Sequence, residues 1–255
     1  VSRLFSFWKL VHNENLKIYL RLGTWVMIGI LAGLSLLIPL LSYTVDRSAA
    51  ITLQDMVFSL LPMLNVCITI VTIVVAAGIV SSEFAWGTIK LLLIRPWTRG
   101  KILLSKYIAL VLFALFMSVL VFALVFGISA LLFPNMPGPG LWSDFLMTSV
   151  YKFIDLLVIA TFTFMLSAVF RSNGLSIGMA MFVFMFGDMV PMLLHPAKYG
   201  WAKYLLFHNM HLYNYMHGST PYPGMSFGFS SAVLAVYFAA FLAISWIVFA
   251  RRDIA

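Results

Sequence analysis

Long apolar runs separated by short polar breaks dominate the chain. Six runs, at about 24–44, 57–80, 102–133, 146–169, 175–194 and 229–250, are continuously apolar. Each approaches or exceeds the roughly 20 residues that cross a bilayer core as helix. The period-two alternation of a membrane barrel is missing. The pattern predicts an all-α polytopic membrane protein with six transmembrane helices. The third run is the longest and is expected to leave the bilayer at one end, where Lys106 would snorkel. The second holds Pro62, Asn65, Thr69 and Thr72, which predicts a kink compensated by polar side chains. Ahead of these runs, Leu4, Phe7, Trp8, Val11, Ile18 and Leu22 recur near the helical period, while Lys9, Asn13, Lys17 and Arg21 stack four apart. Residues 1–23 therefore read as an amphipathic helix in the membrane interface, basic face towards headgroups.

Two breaks are long enough to carry structure. In 81–101, Ser81-Ser82 ahead of Glu83 reads as the cap and acidic first turn of a short helix. Gly87 permits close approach, Pro96 ends the apolar segment Ile89–Ile94, and Thr98 caps the third span. The expectation is a surface elbow between spans two and three. The stretch 195–228 carries Trp201, Tyr204, Leu205, Leu206 and Phe207, then a His- and Tyr-rich stretch and the turn Pro221-Tyr222-Pro223-Gly224. It reads as a re-entrant or interfacial helical element before span six. Residues 134–145, rich in proline and glycine, read as a rigid turn. No second domain or internal repeat is visible, so 1–255 is taken as one transmembrane domain.

Composition sharpens this picture. The chain is 63% hydrophobic and 9% charged, which excludes an ordinary soluble domain. Its net charge of +8 sits at helix ends and builds no basic surface, so nucleic acid is not an expected partner. Twelve of the sixteen Lys and Arg residues fall on the side of the termini, against Arg47, Lys152, Lys198 and Lys203 opposite. The positive-inside bias therefore places both termini in the cytoplasm. Cys67, alone within an apolar run, excludes a disulfide framework. No small-residue cleavage site follows the first run, so no cleaved signal peptide is expected.

Candidate chemistry is sparse. Gly100-Lys101 is no phosphate loop, because Arg95 stands where the first glycine belongs and Ile102 follows. No H-E-x-x-H or G-x-S-x-G setting occurs, so neither an enzyme nor catalytic residues are expected. His208 and His211, with His195 and His217 nearby, have a spacing that suits a transition metal but lack cysteine or carboxylate neighbours in sequence. The expectation is an interface belt and no metal. Asp155 and Asp188 are acids within spans, where a carboxylate is costly and points to a substrate path or proton relay. The bland alternative pairs Asp155 with Lys152 on one helix face. Gly29–Gly33 and Gly174–Gly178 allow close helix approach between spans one and five, within or between subunits.

The ordered set Glu83, Gly87, Thr88, Leu92, Leu93, Pro96, Arg99, Leu103, Ser105, Lys106 and Tyr107 resembles the permeases of type 2 ATP-binding-cassette exporters. The basic N-terminus, six spans and element before span six extend the likeness along the chain. It looks nearest to small bacterial permeases of bacteriocin or lantibiotic immunity, bacitracin-type resistance and toxin-peptide export. The resemblance implies that 81–101 is a cytoplasmic coupling helix, with Glu83, Trp86, Gly87, Thr88, Pro96 and Arg99 against an ABC ATPase and Arg171, Ser172 and Asn173 as a second inner-loop contact. It implies two ATPase copies carrying ATP and Mg, a second permease, the same or homologous, and a bacterial cell membrane. Gly29, Gly33, Gly174 and Gly178 would then pack across the permease dimer. The implied cargo is a hydrophobic or amphipathic peptide moved outward. Trp97-Thr98 departs from the smaller residues common there. Alternatives are an exporter of a drug, lipid or glycan, or an ion-coupled secondary transporter, which would need matched broken helices at mid-membrane.

Overall fold

The computed structural model describes residues 2–45, 52–85, 98–133, 140–196, 198–217, 222 and 224–251. Among them the chain is helical, without strands: α1 Ser2–Tyr19, α2 Leu22–Val45, α3 Leu53–Ala85, α4 Arg99–Leu132, α5 Leu141–Phe170, α6 Asn173–Gly187, α7 Met189–Leu193, α8 Leu206–Asn209 and α9 Phe227–Arg251. Two 3-10 turns, Ala202–Tyr204 and Leu212–His217, flank α8. Five helices, α2, α3, α4, α5 and α9, are long and apolar enough to cross a membrane. The expected fifth run is different. It breaks at Asp188 into the 15-residue α6 and the 5-residue α7.

The core lies between α3, α4 and α5, where Leu64, Ile68, Phe113, Ala114, Met117, Ala160 and Phe164 are buried. Apolar side chains alone do not hold it. The Ser167 hydroxyl of α5 inserts into the α3 backbone, accepting from the Ser81 N–H at 3.0 Å and donating to the Ala77 carbonyl at 2.6 Å. The Tyr107 hydroxyl of α4 meets Thr161 Oγ1 of α5 at 2.8 Å. Such side chains satisfy polar backbone that lipid cannot. On the outer faces of α2, α6 and α9, Leu37, Leu41, Phe182, Met185, Val236 and Ile247 are exposed. That pattern suits lipid contact.

Three sequence expectations change. Residues 2–22 are not one helix: the chain turns at Leu20-Arg21, where the Thr24 hydroxyl donates to the Ile18 carbonyl and the Trp25 indole to the Tyr19 carbonyl, capping α1. The buried face of α1 is Leu10, Val11, Glu14 and Ile18, whereas Trp8 is exposed. Residues 141–145 of the expected turn are already helix, entered through Gly140 at φ 95°. The stretch 195–228 does carry helical pieces, packed through Leu206, Met210 and Leu212 against α5, α6 and α9.

Two glycines permit close contacts. The Trp246 ring lies where a Cβ on Gly100 would stand, 2.1 Å away, and the Phe207 ring does the same at Gly187. Gly100→Leu is expected to cost about 1–3 kcal/mol through overpacking. Gly127→Ala, which meets nothing within 4 Å, should cost nothing. Apparent melting temperatures of the two variants in lipid nanodiscs check the contrast.

Candidate functional site

Eight acidic residues occur in the whole chain. Four of them meet basic partners in two clusters, one at each end of the bundle. The first cluster gathers where α1, α3 and α4 converge. Lys106 Nζ of α4 donates to Glu14 Oε2 of α1 at 2.6 Å and to Glu83 Oε1 of α3 at 3.0 Å. Lys17 Nζ of α1 donates to Glu14 Oε1 and Glu83 Oε1, both at 2.8 Å. Two cations and two carboxylates thus close a neutral square beside a void of about 20 Å³, space for a single water, which Arg21, Thr24 and Ser82 also line. The Lys106 side chain is 2% exposed, so it does not snorkel. Lys17 turns its ammonium to both carboxylates while its side chain stays 45% exposed, and although burial opposes it, Glu14 and Glu83 together raise its pKa.

Glu83 also sits differently from the cap predicted for it. It lies in the last turns of α3, and Ser81 donates back to the Ala77 carbonyl as a mid-helix serine does. A carboxylate near a helix C-terminus is disfavoured by the dipole. Lys106 and Lys17 offset that here. Trp86, Gly87, Thr88 and Pro96 lie outside the described residues. Thr98 holds the N-cap position of α4 without a side-chain cap bond.

Around this square further residues from this end of the bundle converge. The Arg21 guanidinium donates to Ser82 Oγ at 3.2 Å and lies over Gly78, beside the Asn173 amide. Arg171, in the left-handed conformation at φ 55°, ends α5 and stacks on the Phe84 ring at 4.2 Å. Ser172 is the N-cap of α6. Past residues 86–97, Arg99 donates to the Ala250 carbonyl at 3.2 Å, and before them the Phe84 ring meets the Phe249 ring edge-on. Both ends of the undescribed 86–97 stretch are therefore anchored to α1, α5, α6 and α9. Glu14 carries this arrangement, yet its sequence signal was faint: a single acid among the apolar positions of α1.

The second cluster joins Asp155 and Asp188, which the sequence singles out separately. His211 is their bridge. Its backbone N–H donates to Asp155 Oδ1 at 3.1 Å, Nδ1 faces Asp155 Oδ2 at 3.2 Å, and Nε2 faces Asp188 Oδ1 at 3.3 Å. Hydrogen bonds to Asp155, then to Asp188, push the His211 pKa up to about 9 against burial. No ion pair joins Lys152 to Asp155 among the described residues. Asp188 lies at the joint of α6 and α7. The two motif histidines diverge, since His208 is buried with Nε2 at 2.9 Å from the Leu194 carbonyl. His195 and His208 pack on the Tyr222 ring. No cluster suited to a metal ion occurs among the described residues.

The glycines of spans one and five do not meet within the chain. A Cβ on Gly29, Gly33, Gly174 or Gly178 would have no described neighbour within 4 Å.

Residues 40–255 match the family described as "Protein of unknown function (DUF2705)", and the chain belongs to it. It is 32% identical over 311 aligned residues to "Uncharacterized protein YhcI" of Bacillus subtilis, covering 96% of this chain and 99% of that one. It is also 30% identical over 200 residues to "Uncharacterized membrane protein YdbK" of the same bacterium, covering 76% and 80%. With its apolar helices, this makes the chain a polytopic membrane protein.

Lys106→Met leaves two buried carboxylates short of a cation and is expected to cost about 3–5 kcal/mol. Lys106→Met combined with Glu14→Gln should recover part of that, as read by apparent melting in nanodiscs. His211 gives a pH signature. Its pKa is raised on folding, so its contribution is fully present below about 6.5, the unfolded value, and is lost as pH rises through about 9. The apparent melting temperature should fall from pH 7 to pH 10 in the parent chain and stay flatter in His211→Asn, a residue that tolerates the φ of 63° found there.

Proposed function

We propose that this protein is the membrane permease subunit of an ATP-driven type 2 ABC exporter. A separate ATPase, binding ATP and Mg, would press on residues 81–101 and switch the permease between two open states. The carrying observation is the Glu14–Lys106–Glu83–Lys17 square. A surface elbow transmits force only if its ends are fixed to the bundle. Here Glu83 and Lys106 tie the helix before the elbow to the helix after it and to α1. Arg171 on Phe84 and Arg99 on the Ala250 carbonyl bring α5 and α9 into the same anchorage. Rigid elements with discrete arrangements are what carry coupling between distant sites.

In this reading α6 with α7 is a sixth crossing, interrupted at Asp188, and both termini are cytoplasmic. The unit is two ATPases and two permeases in a bacterial cell membrane. Gly29, Gly33, Gly174 and Gly178, open within one chain, suit contact with the second permease. The cargo is a hydrophobic or amphipathic molecule, a peptide by resemblance.

The test uses the single native cysteine. With Cys67 replaced by serine and Gly87→Cys bearing a photo-crosslinker, the tagged chain in bacterial membranes should capture a phosphate-loop ATPase. Capture at position 87, with none from a probe at Val119 on the exposed face of α4, supports the reading. Absence of any captured ATPase at position 87 overturns it.

A further inference from the structure

The outer cluster does more than pair two acids. It forms one wall of a cavity of about 340 Å³, at the lower end of the range for small-molecule pockets. Asn65 and Thr69 of α3 line it, with Lys152 and Asp155 of α5, Asp188 at the α6 joint and His211 of the connecting stretch. Phe184, Met185 and Met210 supply apolar wall. The Asp188 side chain is 76% exposed and marks the mouth, whereas Asp155 is 8% exposed at the inner wall. Asn65 Oδ1 is buried out of reach of the cavity space, so the carboxylate open to a ligand is that of Asp188.

We propose that this cavity binds the ammonium head of an amphipathic amine, held by the Asp188 carboxylate, with the alkyl part along Phe184, Met185 and Met210.

The charges facing the cavity decide the sign of the ligand. Asp155 is committed: His211 occupies both of its oxygens. Asp188 holds His211 through one oxygen at 3.3 Å, the longest contact of the bridge. Lys152 on the same wall opposes a cation, and α3 contributes only neutral groups. An ammonium entering at the mouth competes with His211 for Asp188. When it wins, the Nε2 proton of His211 leaves to solvent and the proton on Nδ1 stays there, donated to Asp155 Oδ2. Binding therefore releases a proton while the imidazolium is the resting form, as a pKa of about 9 makes it at neutral pH. The site needs only this chain, so it stands or falls apart from any ATPase.

Calorimetric titration of the full chain in lipid nanodiscs, with empty nanodiscs subtracted, tests this with decylammonium, decanol and decanoate. Decylammonium stays charged between pH 7 and 8.5, as a lysine-like amine does. The expected result is saturable binding of decylammonium and not of the other two. Its affinity should rise by up to about twentyfold between those pH values, the limit for displacing one proton held at about 9. Buffers of different ionisation enthalpy should report the released proton. Asp188→Asn should weaken binding at least about tenfold, and Lys152→Gln should tighten it severalfold. Should Asp188→Asn not fold, His211→Asn serves instead: it should keep binding and lose both pH dependence and proton release. Equal binding of decanol or decanoate, absence of saturable binding, unchanged affinity in Asp188→Asn, or pH dependence surviving in His211→Asn overturns the assignment.

Discussion

Two buried carboxylates sharing two ammonium groups are the constraint on which one end of this helical bundle depends. Glu14, Glu83 and Lys106 are almost fully withdrawn from solvent. Each charge alone would be expensive there, and the group balances only as a set. The consequence is geometric. Hydrogen bonds of 2.6–3.0 Å hold α1 against α3 and α4. Apolar packing of α1 through Leu10, Val11 and Ile18 could slide along a neighbouring helix, whereas a charge square cannot without exposing an unpaired ion. This end of the bundle is therefore stiff where the proposed coupling requires stiffness.

The opposite end uses the same chemistry with a looser fit. His211 takes a positive φ to reach Asp155 with both its backbone and its ring, and it touches Asp188 at longer range. Asp188 stands at the break between α6 and α7 with most of its side chain exposed. One cluster is closed and nearly dry, and the other is open beside a cavity. This asymmetry places mechanical anchorage at one end and ligand chemistry at the other.

The apolar runs made most of the fold legible, because lipid demands long helices with satisfied backbone. Boundaries of five helices fall within a few residues of the pattern. The break at Asp188 escaped although Gly187, Asp188 and Pro191 stand together in the run, because its apolar length outweighed them, and the Phe207 ring that packs on Gly187 comes from a distant stretch. Ser81-Ser82-Glu83 imitates a helix start, and only the packing of Ser167 into α3 shows that the helix continues. Asp155 and Asp188 stood out as costly acids, yet their partner His211 lies 56 and 23 residues away. Local spacing could not find it. A chain with so few acids does carry one usable signal: an acid on an apolar face, such as Glu14, requires a basic partner from elsewhere.

The most direct measurement of the central claim is a charge-exchange cycle between Glu83 and Lys106, read by apparent melting in nanodiscs. Glu83→Lys and Lys106→Glu separately place like charges in the square, and the double variant restores opposite signs between positions 83 and 106 while Lys17 and Glu14 then each face a like charge. The account predicts that the double variant loses at least about 1 kcal/mol less than the sum of the two single losses. Additive losses, or single variants as stable as the parent chain, would contradict it.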